Sequence, residues 1–382
     1  MQSVGPFHGA SNAFFADHLD HPAINQHSHL PIHSRLRDVR QSRTKLRCGE
    51  SQSVHACVHD PQPDGMHKQI CDLHCPIFAY LIPFATMRTV KPPRGEFVLL
   101  GGRRLWIQLS GNGAPAVVFV PGAGSVGMDF LLVHQQVAEF STAFSYDRAG
   151  TGWSEDIALP RTADQVTDEL HALLQQVGIP PPYVLVGHSL GGAYVQRYAQ
   201  RFPGDVAAML LLDPAHEDWD RYMPDALKLA NQPANAEFPE LPAGFLAQYR
   251  IPFAAMFANF PDGIREQLID QHLSPEWLPT GFREGANALA VFSELRAGGD
   301  RPDVPLIVLS GTDVDDAQTM LVPEALLREQ IAGSERLYTD IANRAPRGEH
   351  RSLPDASHAS IPMLRPDAVA GAIRDLLGRI DA

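Results

Sequence analysis

The sequence lacks a long apolar run, an internal repeat and an excess of basic residues, and each absence excludes a class of protein. No apolar run reaches the roughly 18 residues that a membrane-spanning helix needs. With 31 Lys and Arg against 44 Asp and Glu, the 382-residue chain carries a formal net charge of −13. Nucleic acids and anionic membrane surfaces attract basic patches, so this charge argues against both as partners. No cysteine follows residue 75, which is consistent with a cytoplasmic, reducing compartment.

Residues 1–90 differ in composition from the rest of the chain. They hold 10 of the 17 His and all four Cys, and no sustained apolar period occurs before about Ile77. Three interpretations compete: a zinc-binding module, a leader peptide built on the apolar run 75–87, and a tail that is disordered or precedes a true start at Met87. The Cys spacings match no paired C-x-x-C motif, and the apolar run lies far from Met1. We favour the tail, because such a segment buries too little apolar surface to offset its ordering entropy.

From residue 91 onward, short apolar runs alternate with stretches of helical spacing. Strands are predicted at 97–100, 104–109, 116–120, 142–146, 183–186, 206–212 and 306–309. Helices are predicted at 126–140, 162–177, 190–202 and 366–380. Continuously apolar strands such as AVVFV at 116–120 are typical of strands buried on both faces. The alternation predicts an α/β fold with a mostly parallel sheet.

The alternation is interrupted between residues 215 and 302, where proline and large apolar residues are frequent. Helices are predicted there at 244–258, 263–272 and 282–296. Ligands of open parallel sheets bind outside the carboxyl ends of the strands, where such an insertion would lie. We therefore expect residues 91–382 to form one domain, with 215–302 as a cap over its site.

The strongest chemical motif is VLVGHSLGG at 184–192, which contains Gly-x-Ser-x-Gly between a predicted strand and a predicted helix. In this context the motif forms a sharp turn that exposes the serine as a nucleophile. Gly187 and Gly191 remove Cβ atoms that would collide in the turn. The helix N-terminus and the Leu190 N–H face developing negative charge. We predict that Ser189 is a catalytic nucleophile; the alternative is a serine that caps the helix.

A serine nucleophile needs a base, and His358 in DASHAS at 355–360 is the preferred candidate. It follows Ser189 in chain order and lies just before the last predicted helix. His350 lies in the charged stretch RGEHR, and His188 lies on the turn itself. Both are therefore weaker candidates for the base.

The acid that would orient this histidine has two main candidates. Asp313 follows the strand at 306–309 in LSGTD and is preferred, because triad acids usually lie in the turn after a strand. Asp213 ends the preceding strand in LLLDP, although an Asp-Pro pair also forms turns. Asp315 and Asp316 lie in the same turn as Asp313 and stay open as alternatives.

The turn VPGAG at 120–124 follows the first buried strand of the predicted parallel set. It can supply the second N–H of an oxyanion hole, and Ala123 is the preferred donor beside Leu190. An ordinary glycine-rich turn is the alternative. These residues predict acyl transfer, in which Ser189 attacks a carbonyl carbon while His358 takes its proton. Such a reaction requires no metal and no organic cofactor.

Together these motifs resemble the α/β-hydrolase superfamily over roughly residues 96–380. The residues that carry the resemblance are VPGAG at 120–124, YDRAGTGWSE at 146–155, VGHSLGG at 186–192, LLLDP at 210–214, LSGTD at 309–313 and DASHASI at 355–361. The resemblance implies an eight-stranded, mostly parallel sheet with helices on both faces, a catalytic triad and a helical cap. It also implies that Asp147 and Arg148 belong to a scaffold turn beside the site.

Serine at the turn favours acyl transfer, because members of the superfamily that form an alkyl-enzyme ester use Asp there. The expected function is hydrolysis of an ester or related acyl bond in a small to medium apolar molecule. The alternatives are a C–C bond hydrolase with the same triad and a non-catalytic protein that binds a small molecule under the cap. The only partner expected is a small-molecule substrate, and the sequence does not indicate an oligomeric state.

Overall fold

The core of the protein is an eight-stranded sheet, seen in a computed structural model that describes residues 91–232 and 238–380. The strands are β1 (Glu96–Leu100), β2 (Arg103–Ser110), β3 (Ala116–Val120), β4 (Ala143–Tyr146), β5 (Tyr183–His188), β6 (Val206–Leu212), β7 (Leu306–Gly311) and β8 (Gly348–Leu353). Their order is β1-β2-β4-β3-β5-β6-β7-β8. The β1–β2 and β2–β4 pairs are antiparallel, and the other five pairs are parallel. The predicted α/β class and mostly parallel sheet are confirmed.

Helices connect these strands and cover both faces of the sheet. They are α1 (Leu131–Val137), α2 (Ala163–Gln176), α3 (Leu190–Arg201), α4 (Trp219–Tyr222), α5 (Phe245–Ala255), α6 (Asp262–His272), α7 (Leu278–Ala286), α8 (Ala288–Ala297), α9 (Asp316–Thr319), α10 (Glu324–Arg344), α11 (Ile361–Leu364) and α12 (Pro366–Ile380). The start of α2 follows from its sequence: the Thr162 side chain accepts the Gln165 N–H, and the Gln165 side chain accepts the Thr162 N–H.

Alternate residues of the central strands build two separate cores, because successive side chains of a strand point to opposite faces. In β3, Val117 and Phe119 pack in a cluster with residues of α1 and α12. Val118 and Val120 pack on the other face, with residues of α2 and α3. This two-sided burial explains why β3 reads as a continuous apolar run.

Between β6 and β7 the chain forms α4 to α8, in the segment 215–302 that we call the insertion. Its apolar side chains pack onto the loops above the sheet. Phe257, Leu268 and Trp277 form one cluster with Val126 and Met128. Among the helices of residues 91–232 and 238–380, none combines the length and apolar character needed to cross a membrane.

Three local predictions differ from the structure. The helix predicted at 282–296 is two helices, which meet at Asn287, and the Asn287 side chain donates to the Arg161 carbonyl. The helix predicted at 126–140 is a 3₁₀ turn followed by the shorter α1. Neither α10 nor β8, which fill the long stretch between residues 313 and 358, was predicted from the sequence. Strand β8 reads GEHRSL and is only partly buried at the sheet edge, so it has no apolar run to detect.

The predictions on residues 1–90 lie outside the described residues. In the ranges that the structure describes, no group of three or more His, Cys, Asp or Glu side chains is arranged to hold a metal ion.

Candidate active site

Ser189 lies in a sharp turn between β5 and α3. Its backbone has φ 50° and ψ −121°, a conformation that costs free energy for a residue with a side chain and is frequent at functional sites. Close packing explains the flanking glycines. A Cβ on Gly187 would lie 2.5 Å from the Gly191 carbonyl oxygen, and one on Gly191 would lie 2.1 Å from the Val120 carbonyl oxygen. The sheet and α3 therefore hold the serine in this conformation.

His358 lies in the loop between β8 and α11, and its Nε2 is 3.1 Å from Ser189 Oγ. Its Nδ1 is 3.7 Å from Asp213 Oδ2. Asp213 directly follows β6, is 4% exposed and accepts the Gly311 N–H through Oδ2 at 3.0 Å. The 3.7 Å separation exceeds a hydrogen bond, and such contacts often tighten when a substrate binds. The structure thus brings Ser189, His358 and Asp213 together.

The other candidate carboxylates have different partners. Asp313 is exposed, and its Oδ1 accepts the Val314 N–H at 2.8 Å. Within the described part of the chain, no nitrogen of His358 lies within 4.0 Å of the Asp313 carboxylate. Asp315 is buried and caps α9, where it accepts the Ala317 N–H at 2.7 Å. Asp316 is exposed. Only Asp213 of these four reaches the histidine.

The two weaker histidine candidates also have defined partners. His350 lies on β8, where its Nε2 is 2.8 Å from Ser310 Oγ and its Nδ1 is 2.9 Å from Thr339 Oγ1. The Nε2–H of His188 donates to the His358 carbonyl at 2.8 Å, since a carbonyl can only accept. Burial, followed by the charge of His358, lowers the pKa of His188 to about 4. His188 is therefore neutral near pH 7 and anchors the loop that carries His358.

The turn after β3 runs directly beside Ser189. A Cβ on Gly122 would lie 3.0 Å from Ser189 Cβ. Arg148 donates to the carbonyls of Pro121 at 2.6 Å and Gly122 at 2.8 Å. Ala123 and Leu190 both line the cavity above the serine. Leu190 is the first residue of α3, and the N–H of a first residue has no acceptor within its own helix.

A cavity of about 340 Å³ lies over Ser189 and is lined on its upper side by residues of the insertion. Its aromatic lining residues are Trp219, Tyr249, Phe253, Trp277, Phe282 and Phe292. Lys and Arg are absent from the lining formed by the described residues, and Gln318 and Gln330 add polar groups. Such a cavity favours an uncharged, apolar ligand, because the described lining offers no Lys or Arg to compensate the desolvation of a carboxylate or phosphate, and His272 is already paired with Asp129.

His272 on α6 also lines this cavity, and its Nε2 lies 2.9 Å from Asp129 Oδ1. Both side chains are buried. Burial opposes the charged imidazole, but the charge and hydrogen bond of Asp129 outweigh burial and raise the pKa of His272. The pair joins the insertion to the 3₁₀ turn that precedes α1, and no sequence pattern indicates it because the two residues are 143 positions apart.

This pair gives the folded state a pH dependence. A raised pKa means that, above about pH 6.5, the folded protein retains a proton that the unfolded chain has lost. The contribution of the pair is full below pH 6.5 and is lost as pH rises through the raised pKa. Urea unfolding between pH 6.5 and 9 should show a steeper loss of stability in the wild type than in His272→Gln, by at most about 1.4 kcal/mol per pH unit. Parallel curves for the two proteins would contradict this.

Comparison with known proteins identifies the family of this chain. Residues 117–372 match the model of the alpha/beta hydrolase family, and the chain belongs to that family. An uncharacterized protein from Bacillus subtilis (strain 168), YqjL, is 35% identical over 108 residues, which cover 28% of this chain. The matched stretches span 43% of YqjL and 38% of YbdG from the same organism, less than half of either curated relative.

Two solved structures share the fold. A Vigna radiata epoxide hydrolase mutant superposes with a TM-score of 0.53 at 13% identity, covering 75% of this chain and 98% of that one. Wild-type Cfl2 from Burkholderia cenocepacia superposes with a TM-score of 0.51 at 17% identity, covering 74% and 94%. At these identities the likeness concerns the alpha/beta hydrolase fold.

Proposed function

We propose that the protein is a serine hydrolase that cleaves an ester or related acyl bond of a small to medium, uncharged apolar molecule. One observation carries the proposal: Ser189 Oγ lies 3.1 Å from His358 Nε2, on a strand–turn–helix elbow at the base of an apolar cavity. A nucleophile within hydrogen-bond distance of its base is the arrangement that acyl transfer requires. The aromatic lining, which holds no Lys or Arg among the described residues, favours an uncharged apolar substrate. The cavity volume of about 340 Å³ favours a small to medium one, because it lies near the lower end of the range for ligand pockets, roughly 300–1,000 Å³.

The proposed mechanism uses Asp213 as the acid rather than Asp313. His358 Nε2 takes the Ser189 proton as Oγ attacks the carbonyl carbon, and Asp213 stabilises the resulting imidazolium through Nδ1–H. His358 then protonates the leaving alcohol, which leaves an acyl-enzyme. Water activated by His358 hydrolyses this ester, and the acid product departs.

We propose Leu190 and Ala123 N–H as the oxyanion donors. Leu190 begins α3, so the positive end of the helix dipole faces the same point. Ala123 N–H has no acceptor among the described residues, whereas the next amide, Gly124 N–H, already donates to Glu284 Oε2 at 3.0 Å. Ala123 is therefore the turn amide that can serve a developing negative charge.

A series of p-nitrophenyl esters with acyl chains of two to twelve carbons tests this proposal on the full-length protein. We expect hydrolysis with a maximum at short to medium chains, because the cavity holds about 340 Å³. A fluorophosphonate should also label the protein at Ser189, forming an Oγ–P bond and releasing fluoride. A protein that unfolds cooperatively, but neither turns over any ester nor reacts with the fluorophosphonate, would contradict the proposal and favour a binding protein.

A further inference from the structure

A buried ion pair joins the insertion to the turn beside Ser189. Arg148 follows β4 and is 1% exposed, while Glu284 lies on α7 of the insertion and is 5% exposed. Arg148 Nε and Nη2 donate to Glu284 Oε1 at 3.0 and 2.9 Å. The same guanidinium binds the carbonyls of Pro121 and Gly122. One cation therefore connects a carboxylate of the insertion to two successive peptides of the turn.

These contacts fix the direction of one amide. The Gly122–Ala123 peptide is trans, since it is not among the cis bonds of the described chain. In a trans peptide the N–H points opposite to the C=O. Because Arg148 and the Ser125 N–H bind the Gly122 oxygen, the Ala123 N–H is directed away from the guanidinium. The adjacent Gly124 N–H is bound by Glu284.

Helix α7 packs against the same turn at two further points. The Gly124 and Gly281 backbones touch, so a Cβ on Gly281 would lie 2.8 Å from Gly124 Cα. Trp277, the residue before α7, donates its Nε1–H to the Gly124 carbonyl at 3.0 Å. The turn is therefore held from the insertion side by a carboxylate, an indole and a backbone contact.

We propose that Glu284 is a positioning residue: through Arg148 and Gly124 it holds the Gly122–Ala123 peptide in the orientation that stabilises the oxyanion. The inference rests on the proposed function. Arg148 then does more than stabilise a scaffold turn, because it orients an oxyanion donor. Helix α7, which carries Glu284, then supports catalysis. Hydrolysis then requires the insertion to be docked on the turn, because an undocked α7 removes the partner of Arg148 and frees the turn.

Glu284→Gln tests the role with little change of shape. The neutral amide offers one acceptor oxygen, so it cannot bind both Arg148 and Gly124 as the carboxylate does, and Arg148 keeps a buried, uncompensated charge. Loss of one oxyanion donor typically costs about 10²–10³-fold in kcat. A misaligned donor should cost about 10- to 100-fold, with KM nearly unchanged, since the oxyanion forms only after binding.

A matched control is available in the same loop. Arg161 and Glu169 also form a buried ion pair at 2.9 Å, and Glu169 accepts the Ala149 N–H. None of the contacts of this pair reaches the turn at 121–124 within the described residues. Glu169→Gln should therefore lower the free energy of unfolding to a similar extent while leaving kcat within about threefold of wild type.

The decisive measurement compares inhibition by two compounds, a ketone and the matching alcohol, which differ only in the oxidation state of one carbon. Ser189 Oγ adds to the carbonyl carbon of an alkyl trifluoromethyl ketone while His358 takes the serine proton. The carbonyl oxygen of the ketone then becomes an oxyanion that lies in the oxyanion hole. The matching trifluoromethyl alcohol cannot form this adduct. Glu284→Gln should weaken inhibition by the ketone in proportion to the loss in kcat and leave inhibition by the alcohol unchanged. A purely structural role would weaken both alike.

Two outcomes would overturn the inference: wild-type kcat and ketone inhibition in Glu284→Gln, or equal losses in Glu284→Gln and Glu169→Gln. If Glu284→Gln does not fold, Gly281→Ala replaces it, because its added methyl pushes the turn and α7 apart. Gly281→Ala should weaken inhibition by the ketone more than inhibition by the alcohol. Equal effects on the two would overturn the inference. Failure of the proposed function is distinguishable: the wild type itself would then show no Ser189-dependent hydrolysis and no ketone inhibition, and the inference would fall with it.

Discussion

Replacing Ser189 by alanine is expected to lower kcat for p-nitrophenyl esters by about 10⁴- to 10⁶-fold, which is the usual scale for removing a nucleophile. The reason is specific to this elbow: Ser189 Oγ is the hydroxyl 3.1 Å from His358 Nε2 under the cavity. The measurement is steady-state kinetics on the full-length protein. Alanine keeps the Cβ atom and removes only the hydroxyl, so the backbone at φ 50° is under the same constraint and we expect the variant to remain folded.

Ser310→Ala is the matched control for this prediction. Ser310 also contacts a histidine, with Oγ 2.8 Å from His350 Nε2, but it is buried in β7 and does not line the cavity over Ser189. Its removal should cost stability through lost hydrogen bonds and leave kcat within about threefold of wild type. Activity that survives Ser189→Ala, or that disappears in Ser310→Ala, would overturn the proposed nucleophile.

The second large effect separates the two candidate acids. Asp213→Asn should lower kcat by about 10³- to 10⁴-fold, because a neutral amide cannot stabilise the imidazolium that forms on His358. Asp213 Oδ2 also accepts the Gly311 N–H, and the asparagine oxygen can retain that bond. The loss should therefore appear in kcat far more than in the free energy of unfolding.

Asp313→Asn is the natural comparison, since Asp313 lies after the neighbouring strand but is exposed and bound to its own loop. We expect its kcat to stay within about threefold of the wild type. Kinetics of both variants with one ester, together with urea unfolding, measure the difference. If kcat fell strongly in Asp313→Asn while Asp213→Asn stayed active, the assignment of the acid would be reversed.

Much of the fold was predictable because it depends on local pattern. The continuous apolar runs of β3, β5 and β6 mark strands buried on both faces, and the Thr162–Gln165 capping box marks the start of α2. The turn at Ser189 was predictable because its Gly-x-Ser-x-Gly motif is short, although the contact that requires Gly191 is with the distant Val120 carbonyl. Strand β8 was not, because a half-exposed edge strand needs no apolar period.

The triad acid illustrates why part of the site could not be predicted from the sequence. Asp213 and Asp313 both follow a parallel strand, so both reach the same edge of the sheet and fit the motif. Which one meets His358 depends on how the loop after β8 folds over that edge, and a hydrogen bond from His188 holds this loop. No spacing in the chain encodes that distance.

The sequence by itself determined the α/β architecture, the Ser189 elbow and the place of His358 before the last helix, because each is marked by a short motif or by the apolar pattern of buried strands. Only the tertiary structure decided that Asp213 faces His358, that His272 pairs with Asp129, and that Glu284 binds Arg148 136 positions away. The physical reason is the same in each case. A charged side chain can be buried only where a distant partner compensates its desolvation, and folding, not spacing, selects that partner.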